Sequence, residues 1–573
     1  MSQPVSITTE RVDDIPLLLA QLERMGVQAL LDEHFPQHGN WQGVSLGTVA
    51  VVWLSHILSQ GDHRLNQVQG WVEHHLETIG GGLEREIRAL DWSDDRLEGV
   101  LRYLSNDQGW RQFETAMTQR HVQVYDLHPE RVRLDSTSVS GFWSATEDGL
   151  FQRGHSKDHR PDLCQLKLML ASLDPLGLPI ASEIVAGNAA DDPLYAPAVQ
   201  QVRQTLNTSG LLFVGDCKMS SLKTRYLIAS GGDYYLCPLS KTQVSDAQMQ
   251  EYLSLLVSQQ VELERIDYDY MNGKTAQIAE GYEQQHDCSM PVDTTEWTWC
   301  ERRLVVYSIA HGNVQKKVLQ ARIDQAQSEL AALNQPGRGK KPLSDLKSLT
   351  TATEQVMAKH RVASLFRLNY RVQVTQVAQR KYGDRPARVV EQRRFQVDFS
   401  LDLAAVKQQM QQLGWRVYAT NHPQAQLSLS QAVVVYRQEY VIEQQFGRLK
   451  GHPLSLKPMF LQREDHIKGL MRLLSIGLQL LTLVEFQVRR SLLPEQRELA
   501  GLYAGNPKRS TPHPTAEKLL ASFKEITLVL IHARGEVYVD LTSLNLLQQR
   551  ILQLMNFSTE IYTRLGPQSD DPP

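Results

Sequence analysis

The sequence predicts an α/β fold in which a helical N-terminal domain precedes a mixed-sheet domain, and a strand-rich insertion interrupts that second domain. Three observations support this fold class. Apolar residues recur at helical spacing over roughly the first 125 residues, strand-like alternation begins at Val132, and short strands then alternate with helices until about Lys241. These two periodicities are the primary sequence signals for helices and strands.

Length and composition are those of a large globular protein. The chain has 573 residues, which corresponds to roughly three or four domains, and it is 42% hydrophobic and 22% charged. Its 60 basic and 64 acidic residues give a formal charge of −4, which excludes a uniformly basic nucleic-acid-binding protein but permits local basic surfaces. Five scattered cysteines form no Cys-X-X-Cys pair, which argues against a zinc ribbon or a disulfide scaffold and is typical of a reducing compartment.

The N-terminal sequence MSQPVSITTERVDD lacks the basic start and apolar run of a signal peptide. The most apolar predicted helix spans residues 469–486. It contains Arg472, Gln479 and Glu485, so it indicates a buried helix rather than a membrane span. We therefore expect a cytoplasmic protein with no membrane partner.

The first 125 residues predict a bundle of helices. Asp14 precedes a helix whose first turn tolerates proline, and Gly26 suits its end. A second apolar helix is predicted to begin near Ser45. A third presents one helical face, formed by Leu97, Val100, Leu101 and Leu104. Such a domain can bind DNA, dimerise or merely pack, and the sequence shows no clear recognition helix that decides among the three.

From Val132 the pattern changes to that of a sheet. The strand RVRLDSTSV is followed by strands at 164–174 and 178–188, a helix to about Leu206, and the apolar strand LLFVGD. A second helix and the strand YYLCPL complete the order β-β-β-α-β-α-β. That order, with acids at the ends of the first and fourth strands, is typical of a ribonuclease-H-like catalytic core.

The regular order ends near Lys241, and strands return at 370–399 and 415–421. Nine Arg or Lys residues against two acids lie between Arg361 and Arg394. This stretch is either a solvated sheet face or a surface that follows DNA phosphates. The predicted division is an N-terminal helical domain (1–125), the first part of the catalytic domain (126–240), an insertion domain (241–415), the second part of the catalytic domain (416–490) and a C-terminal helical tail (491–573).

Three acids stand where phosphodiester chemistry needs carboxylates. Asp135 ends an apolar strand, Asp216 ends LLFVGD, and Glu443 lies on a helix predicted to begin near Gln431. Carboxylates are suitable Mg²⁺ ligands, and two bridged ions activate a water or a 3′-hydroxyl and stabilise the leaving oxygen. Each acid alone is more often a turn cap or a solvated side chain, so the prediction depends on their joint arrangement.

Several stretches resemble the bacterial insertion-sequence transposases of the DDE class, in the group with a strand-rich insertion between the second and third acids. They are RLDSTSVSG, GHSKDHRPDLCQLKLML, FVGDCKMSS, and YRQEYVIEQQFGRLK followed by KPMFLQREDHIKGL, and the resemblance covers roughly residues 10–490. It implies that Asp135, Asp216 and Glu443 are the catalytic residues and hold two Mg²⁺ or Mn²⁺ ions.

The same resemblance implies its partners: the terminal inverted repeats of the element and target DNA, bound by a homodimer or higher oligomer. No GxxxxGK[ST] loop occurs, so no nucleotide cofactor is expected. The interpretation is a transposase that cleaves and transfers the strands of its own insertion sequence. A ribonuclease-H-like nuclease without strand transfer and a domesticated DNA-binding protein remain open alternatives.

The late motif of the family reads Tyr, two residues, Arg, three residues, Glu, six residues, Lys. Tyr436, Glu443 and Lys450 match and are expected on one helix face, because they are spaced by seven. Glu439 stands at the arginine position, and Arg437 is the expected substitute. A glutamate repels phosphate, so Glu439 is expected to point away, to pair with a base such as Arg437, or to signal a changed reaction.

Six residues are candidates for DNA contact. Lys218 either contacts a phosphate or is a solvated lysine at the start of a helix. His155 and Lys157, in GHSKDHRPD, either position a phosphate or belong to a polar loop before a strand. The candidates are Tyr436, Arg437, Lys450, Lys218, His155 and Lys157.

Overall fold

The computed structural model describes residues 6–270, 273–335, 345–380, 383, 386, 388–495, 497–533 and 536–565. The chain divides into two compact units. Unit 1 comprises Met1–Cys237, Ser289–Trp299 and Val435–Pro573, and unit 2 comprises Pro238–Cys288 and Cys300–Val434.

Unit 1 begins with one strand and seven helices. They are β1 (Ser6–Arg11), α1 (Ile15–Met25), α2 (Val27–His34), α3 (Leu46–Gln60), α4 (Val68–Glu73), α5 (Leu76–Leu83), α6 (Asp94–Leu104) and α7 (Asp107–Val124). The predicted helices are confirmed: Gly26, with a φ of 75°, caps the end of α1, and the Ser45 hydroxyl accepts from the Thr48 amide at the start of α3. The strand β1 was not predicted.

The core sheet follows. Its elements are β2 (Arg131–Gly141), β3 (Cys164–Leu173), β4 (Leu178–Ala186), α8 (Tyr195–Leu206), β5 (Leu212–Gly215), α9 (Leu222–Ser230) and β6 (Tyr234–Pro238). The strand order is β4-β3-β2-β5-β6. The first three strands are antiparallel, whereas β5 runs parallel to both β2 and β6. Three antiparallel strands followed by a parallel pair form the predicted ribonuclease-H-like core.

Unit 2 is the mixed, strand-rich insertion. Its elements are α10 (Asp246–Val257), β7 (Glu264–Asp269), β8 (Thr275–Val292), β9 (Thr295–Ser308), α11 (Ile309–Leu333), α12 (Leu346–His360), β10 (Phe366–Gln379), β11 (Arg388–Leu401), α13 (Leu403–Gln412) and β12 (Trp415–Thr420), of which β8 and β9 extend into residues 289–299 of unit 1. Within it, β12, β9, β8 and β7 are consecutive neighbours, and β10 pairs with β11. The unit continues to Val434, so β12 belongs to it and not to the second part of the catalytic domain.

The remaining elements are α14 (Leu429–Arg437), α15 (Tyr440–Lys450), α16 (Glu464–Leu492), β13 (Leu499–Ala500), β14 (Ser510–Thr511), α17 (Ala516–Ala521), β15 (Thr527–Ala533), β16 (Glu536–Leu541), α18 (Leu546–Leu554) and α19 (Glu560–Thr563). The C-terminal tail was predicted to be helical. It also contains four short strands, β13 to β16. In one sheet, β15 lies between β1 and β16, so residues from both ends of the chain pair with each other.

The prediction of a single helix from Gln431 is wrong, because the helix is interrupted between α14 and α15. Arg133 on β2 explains the break: its guanidinium donates to the carbonyl oxygens of Val435 at 2.7 Å and Tyr436 at 3.5 Å. The amides of Gln438 and Glu439 bond three residues back to the same carbonyls, so the last turn tightens and stops. Tyr436 and Glu443 therefore lie on different helices.

The helix α16 lies in the core of unit 1. By length and composition it is apolar enough to cross a membrane, but 94% of its most apolar window is buried within the protein. Its Arg472 donates to the carbonyl of Leu104 at 2.7 Å and pairs with Asp107, which satisfies the buried charge. This agrees with the prediction of a buried helix.

Candidate active site

Two acids lie side by side at the end of a parallel strand pair. The pairing of β2 with β5 ends at Leu134 and Gly215, and the next residues are Asp135 and Asp216. The sequence predicted Asp135 at a strand end, whereas β2 continues to Gly141 by pairing with β3 alone. The acid therefore marks the end of the parallel ladder, not the end of its strand.

The carboxyl group of Asp135 is mostly buried, with 19% of its side chain exposed. Burial raises its pKa to about 6; the positive charge of Lys157 opposes this shift, and the negative charge of Asp216 adds to it. The ammonium of Lys157 lies 3.6 Å from Asp135 Oδ1 and donates to the Ser136 carbonyl at 2.5 Å. The positive charge of Lys157 therefore favours the ionised form of Asp135.

The carboxylate of Asp216 is fixed by two donors. Its Oδ1 accepts from the Tyr195 hydroxyl at 2.6 Å and from the backbone amide of Lys218 at 2.8 Å. Burial, followed by the charges of Asp216 and Asp135, raises the pKa of Tyr195 well above its ordinary value, so this phenol stays a donor. Tyr195 was not predicted as a site residue, because it begins α8 and carries no motif of its own.

The third predicted acid, Glu443, lies in the first turn of α15, where the helix dipole favours a carboxylate. It is exposed, whereas Glu439, in the turn before α15, is half-buried. Burial raises the pKa of Glu439, and the negative charges of Asp135, Glu443 and Asp216 raise it further. Glu439 therefore lies within electrostatic range of all three acids, and the positive charge of Arg133 opposes the shift of its pKa.

The lysine of the late motif pairs with a residue that the sequence analysis did not select. The ammonium of Lys450 donates to Thr137 Oγ1 at 2.7 Å and to Asp158 Oδ1 at 2.8 Å. Lys457 pairs with the other oxygen of Asp158. Burial lowers the pKa of Lys450, and the contact with Asp158 opposes that shift. Thr137 lies two residues from Asp135 on the same face of β2, so Lys450 lies on the side of the strand that carries the acid.

The other predicted DNA contacts are distributed over several elements. Lys218 is exposed with its ammonium 3.5 Å from Asp192, and His155 is exposed in the loop before β3. Arg437 is half-buried in the last turn of α14. Tyr436 is buried, with 8% of its surface exposed, so it is less accessible to a phosphate than the others.

The basic stretch between Arg361 and Arg394 is described in part. Its Lys381 and Arg385 lie outside the described residues. On β10, Arg367 pairs with Asp402, and Arg371 pairs with Asp398. These pairs are typical of a solvated sheet face, the alternative to a phosphate-binding surface that the sequence left open.

The donor set at the end of the ladder suits divalent cations with oxygen ligands. Burial and the negative charge of Asp216 raise the pKa of Asp135 and so disfavour its ionised form, and a bound cation would relieve both costs. In the described part of the chain, the carboxylates of Asp135, Asp216 and Glu443 are not all within 4.8 Å of one another. Two ions about 3.5–4 Å apart need ligands spread more widely than one ion does.

One comparison with known proteins identifies a family. A family model described as the transposase DDE domain matches residues 128–480, which is more than half of the chain. Among solved structures, the chain is similar to a piggyBac transposase in a synaptic complex with hairpin DNA, at 9% identity and a TM-score of 0.23, over 81% of this chain and 80% of that chain. The comparison with curated proteins gave no match.

Proposed function

The chain belongs to the transposase DDE domain family, and we propose that it cleaves DNA at the ends of its own insertion sequence and joins the freed 3′ ends to target DNA. The observation that carries this proposal is the register of β2 and β5, because it sets Asp135 beside Asp216 within the matched region. Glu443 would supply the third carboxylate from α15. These three acids would hold two Mg²⁺ or Mn²⁺ ions.

When bound, the ions would lower the pKa of the attacking water and neutralise charge on the leaving oxygen. The chain's own residues keep the carboxylates in place for this role. Tyr195 and the Lys218 amide orient Asp216, while Lys157 offsets the negative charge at Asp135. Lys450 would stabilise charge on the phosphate, as fixed cations do in phosphoryl transfer.

The partners would be the terminal inverted repeats and a target duplex, bound by a homodimer or higher oligomer in the cytoplasm. Lys218 and His155 are exposed and available to DNA, whereas Tyr436 would act mainly by packing. The net charge of −4 makes a general electrostatic attraction to DNA weak, so binding would depend on such local contacts.

The test is a cleavage assay with the purified full chain, labelled DNA carrying the element ends, and Mg²⁺. We expect nicked and joined products from the wild type, and end binding without cleavage from Asp135→Asn, Asp216→Asn and Glu443→Gln. Each of these changes removes a charged ligand and changes the shape little. The matched controls are Asp246→Asn and Glu251→Gln. These two residues are exposed acids on α10 in unit 2, so both variants should cleave DNA at the wild-type rate.

The products separate the alternatives. Nicks without joined strands would indicate a nuclease that does not transfer strands. End binding without cleavage by the wild type would indicate a domesticated DNA-binding protein. Cleavage at the wild-type rate by any of the three acid variants would remove that residue from the site.

A further inference from the structure

A second group of metal-ligating side chains lies in unit 2, on the neighbouring strands β8 and β9. His286 and Cys288 are two residues apart on β8 and so share one face of the sheet, and Glu301 lies on β9. Their ligand atoms, an imidazole nitrogen, a thiol sulfur and a carboxylate oxygen, all lie within 4.8 Å of one another. Cys288 and Glu301 are buried, at 5% and 0% exposure, and His286 is exposed.

A fully buried carboxylate on a β-strand is costly unless charge and hydrogen bonds compensate it. Arg303, two residues along β9, donates from Nε to Glu301 Oε1 at 2.9 Å. This contact fixes the orientation of the carboxylate, as hydrogen-bonding partners of metal-ligating carboxylates do. The buried pair places an oriented oxygen next to the thiol of Cys288 and the ring of His286.

We propose that His286, Cys288 and Glu301 bind a Zn²⁺ ion. One thiolate, one imidazole and one carboxylate form a mixed sulfur, nitrogen and oxygen set that Zn²⁺ accepts, with bonds of about 2.0–2.3 Å. Tetrahedral ligands at such bond lengths are roughly 3.5 Å apart, so three ligand atoms within 4.8 Å of one another need only small side-chain adjustments to close the site. On binding, the Cys288 thiol releases its proton to solvent and its sulfur forms the bond to zinc.

This site is chemically distinct from the acids of unit 1. Mg²⁺ prefers oxygen ligands and keeps several waters, so it would not compete for a thiolate and an imidazole. Three protein ligands leave a fourth position for a water. The bound ion would join β8 to β9 and brace the insertion, a role independent of DNA cleavage.

The test uses the metal-depleted full chain titrated with Co²⁺ and then with Zn²⁺. Co²⁺ bound to a thiolate gives an ultraviolet charge-transfer band that a carboxylate site cannot give. We expect one equivalent of Co²⁺ to produce this band, one equivalent of Zn²⁺ to abolish it, and Zn²⁺ to raise the thermal unfolding temperature.

Two variants keep the test decisive. Cys288→Ser should abolish the band, and His286→Ala, a change at an exposed residue, should weaken Co²⁺ binding strongly. The matched control is Cys300→Ser. Cys300 is exposed, and its Sγ lies 3.8 Å from Gln285 Oε1. A wild-type chain without the band, or a band that Cys300→Ser removes and His286→Ala leaves unchanged, would overturn the proposal. Mg²⁺-dependent cleavage is measured separately, so failure of the zinc site leaves the transposase proposal intact.

Discussion

The acids carried by strands and the acids carried by helices are positioned in different ways. Asp135 and Asp216 follow the last pair of a parallel ladder, so backbone hydrogen bonds of the sheet fix their spacing. Glu439 and Glu443 depend on where α14 stops and α15 begins, which a single guanidinium, Arg133, determines. Strand register therefore fixes the relative position of Asp135 and Asp216, whereas the positions of Glu439 and Glu443 depend on a local interruption between two helices.

The two pairs of acids also differ in how their negative charges are compensated. The strand acids are compensated by specific donors, such as Tyr195 for Asp216 and Lys157 for Asp135. Glu439 is half-buried among like charges with Arg133 as the opposing base. The helix side is thus where this chain departs from the family motif and where substitutions are most informative.

The largest expected effect separates the two glutamates. Glu443→Gln should reduce cleavage below detection, because it removes a proposed metal ligand, whereas Glu439→Gln should retain cleavage within about tenfold. Single-turnover rates on labelled element ends measure both. If Glu439→Gln is inactive and Glu443→Gln is active, the third ligand is the half-buried glutamate and the helix break has moved the motif by one turn.

A second expected effect concerns the lysine on the helix side. Lys450→Ala should slow cleavage by roughly two to three orders of magnitude, if it stabilises charge as one oxyanion-type donor does. Lys457→Ala is the matched control, because it removes the other lysine paired with Asp158 and should cost less than tenfold. Equal losses in the two variants would show that both lysines only hold Asp158 in place.

A third prediction tests the strand side through stability. Because burial raises the pKa of Asp135 to about 6, its ionisation opposes folding above that pH. Asp135→Asn should therefore stabilise the metal-free chain near pH 7 by on the order of 2–3 kcal/mol, while abolishing cleavage. The gain should shrink as the pH falls from 6 to 4, since the folded wild type then holds the proton. Thermal unfolding in a chelator measures this gain.

Asp174→Asn is the control for that measurement. Asp174 is buried and pairs with Arg131 at 3.2 Å and Arg133 at 2.9 Å. Its loss leaves buried positive charge without a partner, so the unfolding temperature should fall. A fall with Asp135→Asn as well would mean that Asp135 is a structural acid.

The smallest effect concerns the donor to Asp216. Tyr195→Phe removes one hydrogen bond of 2.6 Å and keeps the ring, so we expect a loss of about tenfold in the cleavage rate. DNA-end binding should not change, which a gel-shift titration checks. A loss in end binding without a change in rate would place Tyr195 in DNA recognition instead.

The sequence predicted the sheet well because burial and period-2 alternation are local properties. The strands β2 and β5 and the start of α3 next to Ser45 lie where they were predicted, although Asp135 lies within β2 and not at its end. The break after α14 was missed, because its cause is Arg133, about 300 residues earlier in the chain. Pairs such as Lys450 with Asp158 were missed for the same reason: sequence patterns show neighbours along the chain, not contacts between distant segments.

The pairing of β1 with β15 has a consequence for synthesis. Thr9 pairs with Val529, so the partner of the first strand emerges from the ribosome only after 520 further residues. At about 5–20 residues per second, the nascent N-terminal strand waits roughly half a minute to two minutes for that partner. A product that terminates before Thr527 lacks β15 and leaves the hydrogen-bonding edge of β1 open. Completion of this sheet therefore distinguishes chains that include β15 from chains that stop before it.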